Sequence, residues 1–202
     1  MRSFSEIDTT VKRATKSMGY SWGISEEVGK NIRLLEMFGI PGLRNLNQYY
    51  KILKDRKFQN LTFISKDNTS NIPYCPIIAG TSFMDQINIL EELKEIEIKN
   101  LAFPILFLPF LSRASEIIGK RIFVSIDENE FLFNFNQSIS AKNSFTDILD
   151  IGKIVKLKIL ENLNSFSEKE WDELYKLSEN TFVEETDELK TSAAGAGLTD
   201  ND

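Results

Sequence analysis

Arg121 to Phe135 reads RIFVSIDENEFLFNF, and this stretch decides the fold class. Two runs rich in β-branched and aromatic residues, RIFVSI at 121–126 and EFLFNF at 130–135, flank the polar triplet DEN at 127–129. Such runs on either side of a short polar turn read as a β-hairpin. A third strand-like run, IVKLKIL, follows at 154–160. The spacing of the three predicts an antiparallel sheet.

Upstream the pattern changes to helical spacing. Ser3 and Glu6 match a capping box, and Phe4, Ile7, Val11, Ala14 and Met18 follow on one face. This predicts a helix over about 4–18, stopped by Gly19. Ser25 is the expected cap of a second helix, with Glu26 and Glu27 in the first turn, where the helix dipole favours acids. Gly39 and Pro41 close it, and a third helix runs from about Gly42 to Leu53. Between helices and hairpin, LTFIS at 61–65 reads as a strand and DNTSN at 67–71 as a loop. CPIIAG at 75–80 is an apolar run, followed by a helix from about Ser82 to Lys94. EIEI at 95–98 either extends that helix or begins a strand. Leu101 to Leu108 reads as a buried strand, against which Pro104 and Pro109 argue. FLSRASEIIG at 110–119 is a short amphipathic helix. Ser167, with Glu170 three residues on, caps a last helix that presents Trp171, Leu174, Leu177 and Ser178 on one face.

The predicted fold is therefore α+β: an N-terminal helical subdomain (1–57), then a mostly antiparallel sheet with flanking helices. It forms one domain over 1–183, followed by an extended, acidic, glycine-containing tail over 184–202. A chain of 202 residues is long enough to bury a core without metal or disulfide staples.

Composition excludes several chemistries. The net charge is −6, and Glu184 to Asp202 carries six acids against one lysine, so the body is almost neutral. A nucleic-acid binder would show a basic face instead. The chain has no histidine and one cysteine, Cys75. Ser-His-Asp and Cys-His catalysis are thereby excluded within the chain, as are histidine or multi-thiolate zinc sites. Proton transfer must use carboxylate, lysine, tyrosine or thiol. One unpaired cysteine fits a reducing compartment, and neither a signal peptide nor a membrane span is apparent, so a cytoplasmic location is expected. The longest apolar run, LAFPILFLPFL at 101–111, falls well short of the roughly 20 residues a membrane span needs.

Four places can hold chemistry. In YSWGISEE at 20–27, Tyr20 and Trp22 form an aromatic wall beside Glu26 and Glu27, which suits a cationic or polar ligand with one glutamate as base. The structural alternative is a packed Trp22 staple and glutamates that answer the helix dipole. Cys75, between prolines in NIPYCPIIAG, is a candidate nucleophile or an inert buried thiol. Asp85 and Arg113 each follow a buried run at an expected strand end, where ligands bind in α/β folds. Arg113 either grips a substrate carboxylate or pairs with a carboxylate of this chain, such as Glu116. In the tail, Asp200 and Asp202 offer carboxylates for docking on a ligand, Arg113 or a lysine, and no metal-ligand set is assigned.

Three stretches together, RSFSEIDTTVKRATKSMGYSWGISEEVGKNIRLLEMFGIPGL, CPIIAG and AAGAGLTDND, resemble a family of alphaproteobacterial proteins described only as a domain of unknown function. The resemblance implies a bacterial cytoplasmic protein and brings no activity, cofactor or catalytic residue.

Two functions follow as expectations. The first is a small-molecule enzyme, or a ligand-binding accessory to one, acting on a small organic or amino acid. The alternative is a non-catalytic subunit or assembly factor whose C-terminal tail docks into a partner, or a homo-oligomer. No cofactor is identified, and neither nucleic acid nor membrane is an expected partner.

Overall fold

The computed structural model describes residues 2–134, 136, 138–141 and 148–182. The chain divides into two compact units, Met1–Asn162 and Leu163–Asp202. The fold class is α+β. Among the described residues, six helices accompany one six-stranded mixed sheet.

The first unit opens with α1 (Phe4–Ser17), capped by Ser3 and Glu6 as the sequence predicts. Gly19 ends it with φ of +96°, a conformation open to glycine. α2 spans Trp22–Met37 and starts a turn earlier than predicted. Its cap is Ser21, whose hydroxyl accepts from Ile24 N–H at 3.3 Å. Ser25 lies buried inside the first turn and donates to the Ser21 carbonyl at 2.7 Å. α3 (Gly42–Leu53) follows as predicted.

The middle of the chain departs most from the sequence reading. LTFIS forms no strand; Leu61 and Ile64 are buried in irregular chain, and the short strand β1 is Asp67–Asn68, within the expected loop. The buried Asn68 anchors it, its amide donating to Ser65 O at 2.7 Å and Glu97 O at 3.0 Å. α4 runs Pro76–Leu90, so CPIIAG is the start of a helix and not a run that precedes one. Proline at the first helical position gives up no hydrogen bond, because that N–H has no intrahelical partner. β2 is Glu95–Ala102, which resolves EIEI as strand. The predicted strand 101–108 stops at Ala102, where Phe103 turns with φ of +40°. Pro104 then opens a single 3₁₀ turn, and Pro109 lies in the first turn of α5 (Leu108–Ile118). Both prolines start helices instead of interrupting a strand.

β3 (Arg121–Ile126) and β4 (Asn129–Asn134) form the predicted hairpin, with Asp127 at φ of +51° in a two-residue connection. The Asp127 carboxylate accepts from the backbone N–H groups of Lys153 and Ile154 at 3.3 and 3.1 Å. β5 (Ser138–Ala141) and β6 (Ile151–Leu160) complete a sheet ordered β1-β2-β6-β3-β4-β5. Among the described residues, these strands pair antiparallel except β1 with β2, and single parallel bridges join Gln59 to Tyr74 and Tyr74 to Leu101.

Alternation gives the sheet one buried face, including Ile96, Ile98, Ile122, Val124, Phe131, Phe133, Val155 and Leu157. α5 packs on β3 and β4 and pairs with α4, while α2 touches both α4 and α5 and pairs with α1. The other sheet face carries cross-strand ion pairs, Glu95 with Lys158 at 3.1 Å and Glu97 with Lys156 at 3.5 Å. The second unit contains α6 (Glu168–Glu179), whose Ser167 and Glu170 form the predicted capping box. Among the described residues, no helix is long and apolar enough to cross a membrane.

Candidate functional site

The earlier start of α2 rearranges the expected YSWGISEE site. Trp22 is the first helical residue and is 55% exposed, so it is not a packed staple. Its ring instead receives the ammonium groups of Lys12 and Lys16, at 5.9 and 5.5 Å from the centroid, in cation–π geometry. Tyr20 turns the other way, towards the core. Trp22 and Tyr20 thus form no shared wall.

Glu26 and Glu27 fall outside the first turn, and the helix-dipole argument for them is overturned. Each is neutralised by a cation. Glu26 pairs with Lys12 of α1, which holds its carboxyl below the ordinary carboxylate value. Glu27 pairs with Arg113 of α5 and, at 3.1 Å, with Lys30. Burial would raise the Glu27 carboxyl, but the bonds from Arg113 and Lys30 outweigh it and hold it below the usual range. Both groups are weakened as bases, because an ion pair stabilises the unprotonated form.

Cys75 caps α4, its sulfur accepting from Ile78 N–H at 3.4 Å. The thiol is 3% exposed. Its sulfur lies 3.1 Å from the Tyr49 hydroxyl and 3.6 Å from that of Tyr20, and the two hydroxyls are 3.0 Å apart. Burial, then the neighbouring Cys75, pushes both phenols well above the ordinary tyrosine value. Tyr49 is enclosed by the rings of Tyr50, Phe58 and Phe103 at 5.2–5.7 Å between centroids. Nearby, Tyr50 donates to Thr15 at 2.7 Å. The arrangement ties α3, the Gly19–Trp22 connection and the start of α4 into one polar knot within the core. A nucleophile needs a thiolate and an approach path. This sulfur has neutral hydroxyls around it and almost no exposed surface.

Asp85 lies in the interior of α4 and is exposed, and Arg113 lies within α5, so neither stands at a strand end. Arg113 pairs with Glu27, 86 residues away, in place of the expected Glu116. It also lines a cleft of about 330 Å³ with Lys30, Arg33, Leu34 and Met37 of α2. The sequence reading missed Lys30 and Arg33. Their spacing from Leu34 and Met37 on one helix was visible, but their meeting with Arg113 was not. The structure also leaves two buried polar side chains on these helices without a hydrogen-bond partner, Asn31 and Ser112.

In the second unit, α6 carries an apolar stripe that is open to solvent. Trp171 is 52% exposed and Leu174 65%, Tyr175 and Leu177 are exposed as well, and Phe182, three residues beyond the helix, is also exposed. Phe166, just before the helix, stacks on Trp171 with centroids 5.8 Å apart. The predicted tail contacts of Asp200 and Asp202 lie outside the described residues. Among the described residues, no cluster of acidic or thiol side chains has the makings of a metal site.

No curated protein and no solved structure matches the chain. Residues 2–75, which contain α1 to α3 and the Tyr20–Tyr49–Cys75 knot, are similar to a protein family described as "Protein of unknown function (DUF3726)".

Proposed function

We propose that the chain is a non-catalytic interaction protein: an α+β body that carries a docking helix, α6, towards a partner. The exposed stripe of α6 carries this reading. Trp171, Leu174 and Tyr175 fall on one side of a helix at the spacing by which amphipathic helices enter an apolar groove. A helix of 12 residues is marginal on its own, and its capping box and the Phe166–Trp171 stack favour the folded form before any partner arrives.

Charge supports the same reading. Residues 163–202 hold eleven acids against three bases, whereas residues 1–162 hold nineteen acids against twenty-one bases. A basic rim around an apolar groove would complement this segment, and the acidic tail would extend the match. The test is co-purification from source cells with full-length wild type and with Trp171→Ala/Leu174→Ala. The reading expects a specific partner to be lost while circular dichroism and the unfolding midpoint of the body are unchanged. Partners retained in full by the double variant would refute it.

The alternative, a small-molecule enzyme or ligand-binding accessory, would use Glu26 or Glu27 as base and Arg113 as carboxylate anchor. The ion pairs on both glutamates count against the base, and the burial of Cys75 counts against a thiol nucleophile. The cleft beside Arg113 favours the anchor. Unchanged binding of small carboxylates by Arg113→Ala would remove it.

A further inference from the structure

The cleft between α2 and α5 concentrates positive charge. Residues 1–162 are nearly balanced, with twenty-one bases against nineteen acids, yet this cleft is lined by three cations, Lys30, Arg33 and Arg113, beside the apolar side chains of Leu34 and Met37. Two acids form direct ion pairs with them: Glu27, shared by Arg113 and Lys30, and Asp8, which meets Arg33 at 3.5 Å; Glu26, also near Lys30, is bonded to Lys12. One positive charge is left over. A guanidinium has five N–H donors in a planar fork, more than one carboxylate oxygen takes up. Arg113 meets Glu27 through Nη1, and Arg33 meets Asp8 through Nη1. Two guanidinium forks and an ammonium around about 330 Å³ form a receptor of the size and polarity of a small acid.

We infer that the α2–α5 cleft binds a small oxyanion, a carboxylate or a phosphate, held by Arg113, Arg33 and Lys30, with Glu27 as a built-in competitor for Arg113. The free protein satisfies Arg113 with its own carboxylate. An incoming oxyanion shares or displaces that carboxylate, so affinity is set by the difference between two similar interactions. This inference stands apart from the docking role of α6 and extends the anchor role of Arg113 to a defined set of residues.

The test is thermal unfolding of the full chain titrated with sodium phosphate and, separately, with sodium succinate, at ionic strength matched by sodium chloride. A saturable rise in Tm with phosphate alone, with succinate alone, or with both supports the site and identifies its class. Loss of one charge-assisted hydrogen bond corresponds to about a tenfold change in affinity. Arg33→Gln should therefore weaken binding about tenfold, and Glu27→Gln should tighten it by a similar factor. Glu128→Gln, at the exposed tip of the β3–β4 hairpin, makes the same change in net charge and should leave affinity unaltered. No saturable shift with either anion would overturn the inference. So would an Arg33→Gln variant that binds as wild type, or a Glu128→Gln variant that gains as much as Glu27→Gln.

Discussion

Replacing Gly80 by alanine tests how α4 crosses α5. Gly80 sits in the interior of α4, and a Cβ built there would lie 2.1 Å from Cδ2 of Phe110 and 2.5 Å from both Cε2 and Cγ. Carbon atoms in contact are ordinarily about 3.5–4.0 Å apart. The ring would have to retreat by more than 1 Å on this count. Phe110 is 1% exposed, in an interior with little free volume to receive it. Overpacking of this kind costs about 1–3 kcal/mol, and occasionally more. Against it stands the helix propensity of alanine over glycine, worth about 1 kcal/mol. With the clash near the top of its range, the expected net loss is about 2 kcal/mol, or a fall in Tm of about 4–8 °C for a chain of this size. The assay is urea unfolding, read as a lower midpoint at unchanged m. Pairing Gly80→Ala with Phe110→Leu, which removes ring atoms at the clash, should cost at least about 1 kcal/mol less than the sum of the two single changes. The sign is diagnostic, because without the crossing alanine would stabilise the helix. A neutral or stabilising Gly80→Ala would refute the close approach.

Further predictions concern the groups singled out by the sequence. The Glu27 carboxyl is held below its ordinary value of 4.5, so its contribution to stability is present above that pH and is lost as pH falls through the depressed folded-state value. The gap in urea midpoint between wild type and Glu27→Gln should narrow below about pH 4.5, and a gap that stays constant down to pH 3 would contradict the ion pair. Cys75 should react with an aromatic disulfide reagent only when the chain is unfolded, because its sulfur is buried; reaction of the native protein at the rate of a free thiol would exclude the core placement.

The elements that were legible in the sequence are those whose causes lie within a few residues. The capping boxes of α1 and α6 join Ser3 to Glu6 and Ser167 to Glu170, three positions apart. The β3–β4 hairpin joins two alternating runs through a short polar turn. Where two local signals competed, nothing within a few residues could choose between them. Ser21 and Ser25 are cap residues of equal quality by type, and the structure uses Ser21, with Ser25 buried at the start of the helix. CPIIAG and LAFPILFLPFL are apolar all round, so hydrophobic periodicity cannot separate strand from helix in them. The prolines that argued against a strand turned out to mark where helices begin.

The candidate site was less legible than the fold, for the same reason at longer range. The sequence named Arg113, Glu27, Tyr20 and Cys75 one by one, but their partners stand tens of residues away. Glu27 finds Arg113 only because α2 packs on α5, and Cys75 finds Tyr49 only because α3 lies over the start of α4. Those contacts consume the groups that looked available for catalysis and assemble a cation cleft that no local pattern announced.

By itself, then, the sequence determined the α+β class, the helix caps, the hairpin, the lack of histidine chemistry and the acidity of the C-terminal segment, because each depends on composition or on neighbours in the chain. Only the tertiary structure decided where the apolar runs become helices, which glutamates are neutralised, that the thiol is enclosed and that three cations share one cleft. Burial and ion pairing are properties of surfaces brought together from distant parts of the chain: α1 against α2 for Glu26, α3 near the start of α4 for Cys75, and α2 against α5 for Glu27 and the cation cleft.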